Sequence, residues 1–393
     1  IKKTFAILIC FISIFAMAET IHVDKSLKQI NIENQISCLL IDSIENFKNI
    51  NNRAFKTDLI NVENLEESKV LWGKFSIKNK SITKLKLAIQ SSKYSSITLL
   101  NNEGVVLGES GIYFPINQRK TGVSAISQID FSINSKKESI YYLKLKIKNH
   151  IPFEYEKIPI SLFNLNFLNK IKKSKSYFLF FFLLGISMMT ISHLVQFFKL
   201  KKIHDLYFVL LNFIILMFFL VQTGQIESTI ANNYFFHERL ILFFGILTLL
   251  SYTLFFSEIL NFHIHHPRAS KFAQYLFPFL ISLNFPIAMG YFIPLLFGIT
   301  AFLGLIIYNY VIYAAYKAVK RGDSSIRLFL IGNLIFYTGV VVSILVKNDA
   351  IPESFFVLSS IDLIQSTTLI QLFLFSLSMK KRTKQDKKQS LGF

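Results

Sequence analysis

The chain has 393 residues, of which 52% are hydrophobic and 17% are charged, whereas ordinary soluble domains carry roughly 25% charged residues. Together with a mean hydropathy of +0.44, this composition excludes a protein built only of soluble domains. The formal net charge of +19 is compatible with nucleic-acid binding. However, the basic residues are scattered over the polar N-terminal part or lie between apolar runs, so no nucleic-acid partner is expected.

Residues 1–18 have the pattern of a secretory signal peptide. Two lysines precede an apolar stretch from Phe5 to Phe15, and an A-x-A cleavage motif ends at Ala18. The apolar stretch is too short to cross a bilayer comfortably. We therefore predict cleavage after Ala18 and export of the residues that follow. An uncleaved anchor is the alternative, and it would leave those residues outside as well.

Residues 19–165 contain several short segments in which apolar and polar residues alternate, and this pattern predicts β-strands. The segments are WGKFSIKN from Trp72, KLKLAIQ from Lys84, IDFSI from Ile129 and YYLKLKI from Tyr141. Turn residues at 101–104, 108–111 and 134–135 separate strands, and the stretch 32–50 fits a strand as well as a helix. Short alternating strands at this spacing predict an antiparallel β-sandwich.

The cysteine content excludes a disulfide-stapled domain. Cys10 falls in the predicted signal peptide, so Cys38 is alone in the exported chain. The sandwich must therefore rest on its own apolar core, and Cys38 is interpreted as a small buried hydrophobic residue.

Aromatic residues and one arginine are the candidates for ligand binding in this domain. Aromatic rings stack on the C–H faces of sugars, and nearby polar groups bond to the hydroxyls. The alternative is that the aromatics fill the core of the sandwich. No metal-ligand spacing and no pairing of a nucleophile with a base stands out here. The candidates are Trp72, Tyr94, Tyr113, Phe114 and Arg119.

The C-terminal part consists of apolar runs that predict seven transmembrane helices, at about 177–198, 206–223, 239–260, 272–289, 294–316, 326–346 and 355–379. The fourth and fifth runs are continuous, and we divide them at Pro286, Gly290 and Pro294, which mark a reversal. Residues 166–176 are predicted as a juxtamembrane linker and 380–393 as a basic tail.

The charges of the loops predict the orientation of these helices. Basic residues concentrate in alternate loops and in the tail, as expected for cytoplasmic segments. The exported N-terminal domain and a cytoplasmic tail require an odd number of crossings, which fits seven helices. The basic loop residues are Lys199, Lys201, Lys202, Arg268, Lys271, Lys317, Lys320 and Arg321.

Ionisable and amide side chains within the apolar runs are candidates for a functional site, because such residues are costly in a membrane. We single out Glu258, Asp362 and Gln365, and note His193 and Gln371. The alternative is that these groups only bond neighbouring helices. The segment HIHHP contains three histidines but no evident fourth ligand, so neither a metal nor a cofactor is expected. No catalytic motif is recognised, and the chain is not expected to be an enzyme.

Several segments resemble a bacterial family, the seven-transmembrane receptors with diverse intracellular signalling modules. In the apolar part these are GISMMTISHLVQFFKLKKIHDLYFVLLNFIILMFFLVQTG, SYTLFFSEILNFHIHHPRASKF and the stretch from RLFLIGNLIFYTG to SLSMKKR. In the polar part, VLWGKFSIKNKSITKLKLAI, VVLGESGIYFPINQRKTG and IYYLKLKIKN look like the family's type 2 extracellular domain.

The resemblance implies the following fold and function. The protein would be an α+β membrane protein, with a periplasmic jelly-roll-like sandwich similar to carbohydrate-binding modules and a seven-helix bundle in the bacterial inner membrane. It would be a sensory receptor for an extracellular small molecule or glycan. Relatives usually continue into a kinase, a cyclase or a phosphatase, so here a separate cytoplasmic kinase or cyclase is the expected partner.

Three further expectations complete the prediction. The basic tail is expected to contact anionic lipid headgroups. The oligomeric state is left open, with a homodimer among the options. The alternative functions are a transporter or channel subunit, because Pro278, Pro286 and Pro294 interrupt helices 4 and 5, and a structural membrane protein with an extracellular binding module.

Overall fold

The structure is a computed structural model that describes residues 20–42, 47–50, 53, 55, 69–91, 95–111, 114, 127–147, 160–223, 225–226, 234–347 and 360–391. The predicted signal peptide and the candidates Tyr94, Tyr113 and Arg119 lie outside these residues. The chain divides into two compact units, one of Ile1–Lys172 with Thr223–His237, the other of Lys173–Gln222 with Glu238–Phe393.

The first unit contains two open β-sheets, and the predicted N-terminal β region is thereby confirmed. The six-stranded sheet has the order β1-β4-β9-β6-β7, with β3 also pairing with β4, and the four-stranded sheet has the order β2-β10-β5-β8. All pairs are antiparallel except β1 with β4. The strands are β1 Ile21–Val23, β2 Gln29–Asn31, β3 Ser37–Asp42, β4 Lys69–Asn79, β5 Leu85–Ser91, β6 Ser95–Asn101, β7 Val106–Gly111, β8 Ser127–Ile133, β9 Glu138–Ile147 and β10 Ser161–Asn164.

The alternating sequence pattern explains how the two sheets form one core. In β5, Leu87 and Ile89 are buried in a cluster that also holds residues of the other sheet, while Lys86 is exposed. Phe75 of β4 and Leu143 of β9 belong to the same cluster. Because side chains alternate between the faces of a strand, each sheet buries one apolar face against the other.

One local expectation changes in the structure, and one that was left open is decided. Residues 108–111 were predicted as a turn, but they belong to β7, where Glu109 pairs with Thr98 of β6 in the ladder. Backbone pairing to a neighbouring strand overrides the turn preference of the glycines there. The ambiguous stretch 32–50 contains strand β3 and a short helix, Phe47–Ile50.

Residues 166–176, expected as a linker, are helical, because helix α1 begins at Leu165 directly after β10. The segment lacks glycine and proline, and its lysines favour a helix. Its first turns pack Leu165 and Leu168 against Ala88 on the four-stranded sheet. Lys172 Nζ also donates a hydrogen bond to Gln128 Oε1 of β8 over 2.7 Å.

Seven helices among the described residues are long and apolar enough to cross a membrane, as predicted. The labelled helices are α1 Leu165–Leu200, α2 Ile203–Gln222, α3 Tyr234–Ile259, α4 Pro267–Ser282, α5 Ile293–Lys320, α6 Ile326–Lys347 and α7 Ser360–Leu391. A short helix, Asn284–Met289, continues α4, and another, Phe262–His265, precedes it. Helix α7 includes most of the predicted basic tail.

Aromatic rings and glycines determine how α6 and α7 pack. Phe329 of α6 stacks on Phe375 of α7, with ring centroids 4.4 Å apart, inside the main apolar cluster of the bundle. A Cβ added at Gly339 of α6 would lie 2.5 Å from the side chain of Thr367 in α7. Glycine therefore lets the two backbones approach closely, as small residues do in membrane helix pairs.

Candidate functional site

Helix α7 carries polar side chains that contact several other helices. They form three layers, which we name by their central residues: the Gln371 layer, the His193 layer and the Ser324 layer. The polar groups that each layer joins come from different helices or from the loop between α5 and α6. We describe them in order towards the C-terminal end of α7.

The Gln371 layer joins four helices. Tyr252 of α3 donates its hydroxyl hydrogen to Gln371 Oε1 over 2.6 Å. Gln371 Nε2 donates to the hydroxyl of Tyr308 in α5 and to Asn333 Oδ1 of α6, the latter over 3.2 Å. Tyr252, Asn333 and Gln371 are buried. A buried amide that donates and accepts at once fixes which helices can be neighbours, because losing a partner leaves a polar group unpaired in an apolar medium.

The His193 layer joins α1, α2 and α7 through a buried chain of three side chains. His193 Nδ1 lies 2.7 Å from Asp205 Oδ1, and His193 Nε2 lies 2.8 Å from Ser376 Oγ. The exposed fractions of His193, Asp205 and Ser376 are 0%, 1% and 5%. The ring of Phe208 packs edge-on against His193, with centroids 4.6 Å apart. His204 adds a second imidazole, with Nε2 3.8 Å from Asp205 Oδ2.

Asp205, His193 and Ser376 are connected like the residues of a serine-hydrolase triad, but the serine is not accessible to a substrate. In the tautomer with a hydrogen on Nδ1, His193 donates to Asp205 Oδ1, and its Nε2 then accepts the hydroxyl hydrogen of Ser376. A triad serine must meet a substrate carbonyl, whereas Ser376 is 5% exposed within a membrane helix. The geometry instead suits a fixed link that ties α7 to α1 and α2 and holds a titratable pair out of water.

The Ser324 layer surrounds the C-terminal part of α7. Ser378 Oγ donates to Ser325 O over 2.6 Å, and Lys381 Nζ donates to Ser324 O over 3.0 Å. Gln385 Nε2 donates to Ser324 Oγ over 3.1 Å. These serines lie in the loop between α5 and α6, so the end of α7 is positioned by that loop.

A basic side chain of α7 also reaches the end of α3. Arg382 Nη1 donates to the carbonyl oxygen of Ile259, the last residue of α3. Carbonyl groups at the C-terminus of a helix lack intrahelical partners and carry partial negative charge, so a guanidinium group is well suited to them. The predicted basic tail thus has a structural role in addition to its charge.

The residues singled out in the sequence lie outside the three layers. Glu258 is half-buried near the end of α3, Asp362 is half-buried in the first turn of α7, and Gln365 is buried in α7. Of the polar residues noted beside them, His193 and Gln371 are central. Asp205 was missed although it is an acidic residue in the first turn of an apolar helix, and that position is the available signal.

Trp72, the ligand-binding candidate that the structure describes best, is 4% exposed. It belongs to an apolar cluster with Tyr142 that is separate from the core between the sheets. Phe47 lies against both rings, at centroid distances of 6.1 and 5.0 Å. Phe114 is half-buried outside the strands. The burial of Trp72 favours the alternative interpretation, in which the indole has a packing role.

The histidines of HIHHP do not form a metal cluster, and none with three or more ligands is found among the described residues. His263 and His265 are exposed. His266 Nδ1 lies 3.1 Å from the hydroxyl of Tyr310. Partial burial, and then the positive charges of Arg321 and Lys317, lower the pKa of His266. Its neutral form is therefore favoured, and it acts as a hydrogen-bonding partner of α5.

Comparison with known proteins places these helices in a family. A family model described as 7TM diverse intracellular signalling matches residues 175–382, just over half of the chain. The matched region contains the Gln371 and His193 layers completely and the Ser324 layer except Gln385. No curated protein matches the chain.

Proposed function

The chain belongs to the 7TM diverse intracellular signalling family, and from this premise we propose that it is a sensory receptor whose output element is helix α7. The observation that carries the proposal is the convergence of all three polar layers on this one helix. Specific hydrogen bonds to α1, α2, α3, α5 and α6 hold α7 in one defined position. A change in these hydrogen bonds would allow α7 to take a second position. Such a two-state element is what a receptor needs to respond to a ligand.

We propose that the N-terminal β domain receives the signal, as a type 2 extracellular domain of jelly-roll type would. Its ligand would be an extracellular small molecule or a glycan. The packing of Leu165 and Leu168 on the four-stranded sheet supports this direction of signalling, because a shift in the sheet would act on the first turns of α1. The bond from Lys172 to Gln128 adds a polar contact at the same place.

We propose further that the protein resides in the bacterial inner membrane, with the β domain in the periplasm and the C-terminal part of α7 in the cytoplasm. Lys380 and Lys384 are exposed on this part of the helix, and they suit anionic lipid headgroups or an acidic partner surface. The effector would be a separate cytoplasmic signalling protein, a kinase or a cyclase, and the receptor itself would be without catalytic activity.

A reporter fusion tests the role of α7. A diguanylate cyclase joined in frame after Leu391 would report changes in this helix as changes in cyclic di-GMP. We expect Ser376→Ala and Gln371→Leu to change cyclase output about fivefold or more, because each removes contacts that hold α7, and coupling energies of this kind correspond to such factors. Ser366→Ala is the matched control, because among the described residues Ser366 Oγ bonds within α7, to Asp362 O. Equal output from the Ser376 and Ser366 variants would contradict the proposal.

A transporter or channel subunit is the alternative, and one observation favours it. Helix α4 is interrupted at Leu283, and the short helix that continues it ends at Gly290 with φ of 80°. Arg239 Nη1 donates to Ala288 O there over 3.1 Å. Interrupted helices often line substrate paths in transporters. Ligand-dependent flux into proteoliposomes, with an unresponsive cyclase fusion, would support this alternative.

A further inference from the structure

The outer face of the six-stranded sheet carries an ordered group of lysines and aromatic rings, which we call the lysine–aromatic face. In the ladder, Trp72 of β4 is opposite Lys144 of β9, and Lys74 is opposite Tyr142. Thr98 of β6 is opposite Lys144 on the other side. Directly opposite residues of antiparallel strands point to the same face. Their neighbours in sequence, such as Phe75 and Leu143, fill the core between the sheets, so this face points away from that core. Its aromatic rings are buried in a second apolar cluster, while its lysines remain partly exposed at the edge of that cluster.

Two lysines of this face, Lys74 and Lys144, are held on aromatic rings. Lys144 Nζ is 5.7 Å from the ring centroid of Trp72. Lys74 Nζ is 5.5 Å from that of Tyr142 and 5.8 Å from that of Phe55. Cation–π contacts of this kind orient an ammonium group without neutralising its charge.

Neither lysine forms an ion pair with a carboxylate of the described residues. Both are half-buried, whereas the more exposed Lys78 of the same strand pairs with Glu138 over 3.5 Å. A partly desolvated ammonium group gains more from an added anion than a fully hydrated one does. The lysine–aromatic face therefore presents two oriented positive charges that an added anion would stabilise.

The arrangement also indicates the size and chemistry of the ligand. Lys74 and Lys144 occupy diagonal positions in the ladder, which places their Cα atoms roughly 7–8 Å apart. Beside them, Thr98 Oγ1 donates to Glu109 Oε1 over 3.4 Å, so a hydroxyl and a carboxylate lie on the adjoining strands. Ammonium groups bind the acidic group of a ligand, while the hydroxyl and the carboxylate are partners for its hydroxyls.

From this face we infer that the β domain binds an acidic saccharide, through Lys74 and Lys144 for its carboxylate or sulfate and through Thr98 and Glu109 for its hydroxyls. The inference rests on the proposed role of the β domain as the ligand-binding part and specifies the class of ligand. The charge of the domain agrees with it, since residues 19–165 contain 20 Lys and Arg against 15 Asp and Glu. Such an excess attracts anions from solution.

The test uses the only tryptophan of the chain, Trp72, as a reporter located on this face. The full chain in nanodiscs is titrated with a panel of uronic-acid and sulfated oligosaccharides and with neutral oligosaccharides of the same length, while tryptophan fluorescence is followed. We expect a saturable change with at least one acidic member, none with the neutral ones, and weaker binding as salt increases.

Charge variants make the test specific. We expect Lys144→Gln and Lys74→Gln each to raise Kd about tenfold, the effect of losing one hydrogen bond to a charged group. Lys86→Gln on the other sheet, where Lys86 is exposed, should leave Kd unchanged. An unchanged midpoint of denaturant unfolding for each free variant shows that its fold is intact.

Three results would overturn the inference: no response to any acidic oligosaccharide, an equal response to neutral ones, or unchanged Kd in both lysine variants. These results leave the receptor proposal standing, because the cyclase fusion tests that proposal without a ligand. Conversely, lysine-dependent binding of an acidic saccharide together with an unresponsive fusion would refute the proposed signalling role and keep the binding site.

Discussion

The two units of this protein place polar side chains in opposite positions. In the β unit the core between the sheets is apolar, with Phe75, Leu87 and Leu143 buried and lysines on the outer faces. In the helix unit, polar groups such as His193 and Gln371 are buried inside, and large apolar residues such as Phe181 and Phe213 are exposed on the surface. The solvent explains the difference. Water drives apolar surface together, whereas lipid does not, so helices in a membrane rely on close packing and hydrogen bonds for specific association.

The largest expected effect is a cavity in the core of the β unit. Phe75→Ala should lower the free energy of unfolding by about 3–5 kcal/mol, because Phe75 is 1% exposed and its removal leaves a void. Denaturant titration of the full chain, followed by the fluorescence of Trp72, measures unfolding of this unit alone. Ile82→Ala is the control, since Ile82 is 76% exposed and should change the free energy by less than about 0.5 kcal/mol. A small effect at Phe75 would mean that the apolar core does not dominate this unit.

In the helix unit the corresponding change is the loss of one buried hydrogen-bonding partner. His193→Leu should destabilise the bundle by about 3 kcal/mol, because it leaves the buried carboxylate of Asp205 without its closest partner. SDS titration of the full chain, followed by circular dichroism, measures this loss. The double variant His193→Leu with Asp205→Ala removes both polar partners and should be less destabilised than the single one. If the double variant is less stable than the single one, the pair contributes through packing and not through its hydrogen bond.

A smaller effect is expected at the Gln371 layer, where all groups are neutral. Gln371→Leu should cost about 1–2 kcal/mol in the same titration, which is the range for hydrogen bonds between membrane helices. Asn309→Leu is the matched control. Asn309 is exposed in α5, and its amide donates to Leu305 O of its own helix, so its loss should have little effect on helix association. An equal loss of stability at both positions would show that hydrogen bonds between helices contribute no more than a hydrogen bond within one helix.

How much of each unit could be predicted from the sequence depends on where that unit places its polar side chains. Strand alternation has a period of two residues and reveals the buried face directly, so the segments KLKLAIQ and YYLKLKI were correctly predicted as strands, which are β5 and β9. By the same rule, the side chain of Trp72 points away from that of Phe75, because the two residues are three positions apart in β4. Trp72 could therefore have been assigned to the outer face of the six-stranded sheet. The seven helices were predictable because length and hydropathy alone determine them.

Which helices contact one another could not be predicted from the sequence. A polar residue in an apolar run shows that a partner is needed but not which helix supplies it, since Asp205 and Ser376 lie 12 and 183 positions from His193. The extension of α1 to Leu165 was hidden for another reason. Lysine-rich residues are compatible with a linker or a helix, and contacts of Leu165 and Leu168 with the sheet decide between them.

The smallest effect concerns a single titratable group in the β unit, Cys38 of β3. Burial raises the pKa of its thiol from 9.0 to about 11, and its Sγ lies 3.7 Å from Ile36 O. Since only the thiolate reacts, alkylation by maleimide at pH 8 should be roughly a hundredfold slower than at an exposed cysteine. The comparison uses Cys10→Ser protein and, as control, the same protein with Cys38→Ser and Lys86→Cys. The thiol of Cys38 keeps its proton to higher pH in the folded state than in the unfolded state. Stability from this group is therefore complete below pH 9 and lost towards pH 11. Fast labelling of Cys38 at pH 8 would mean that β3 is more open to water than the rest of the sheet.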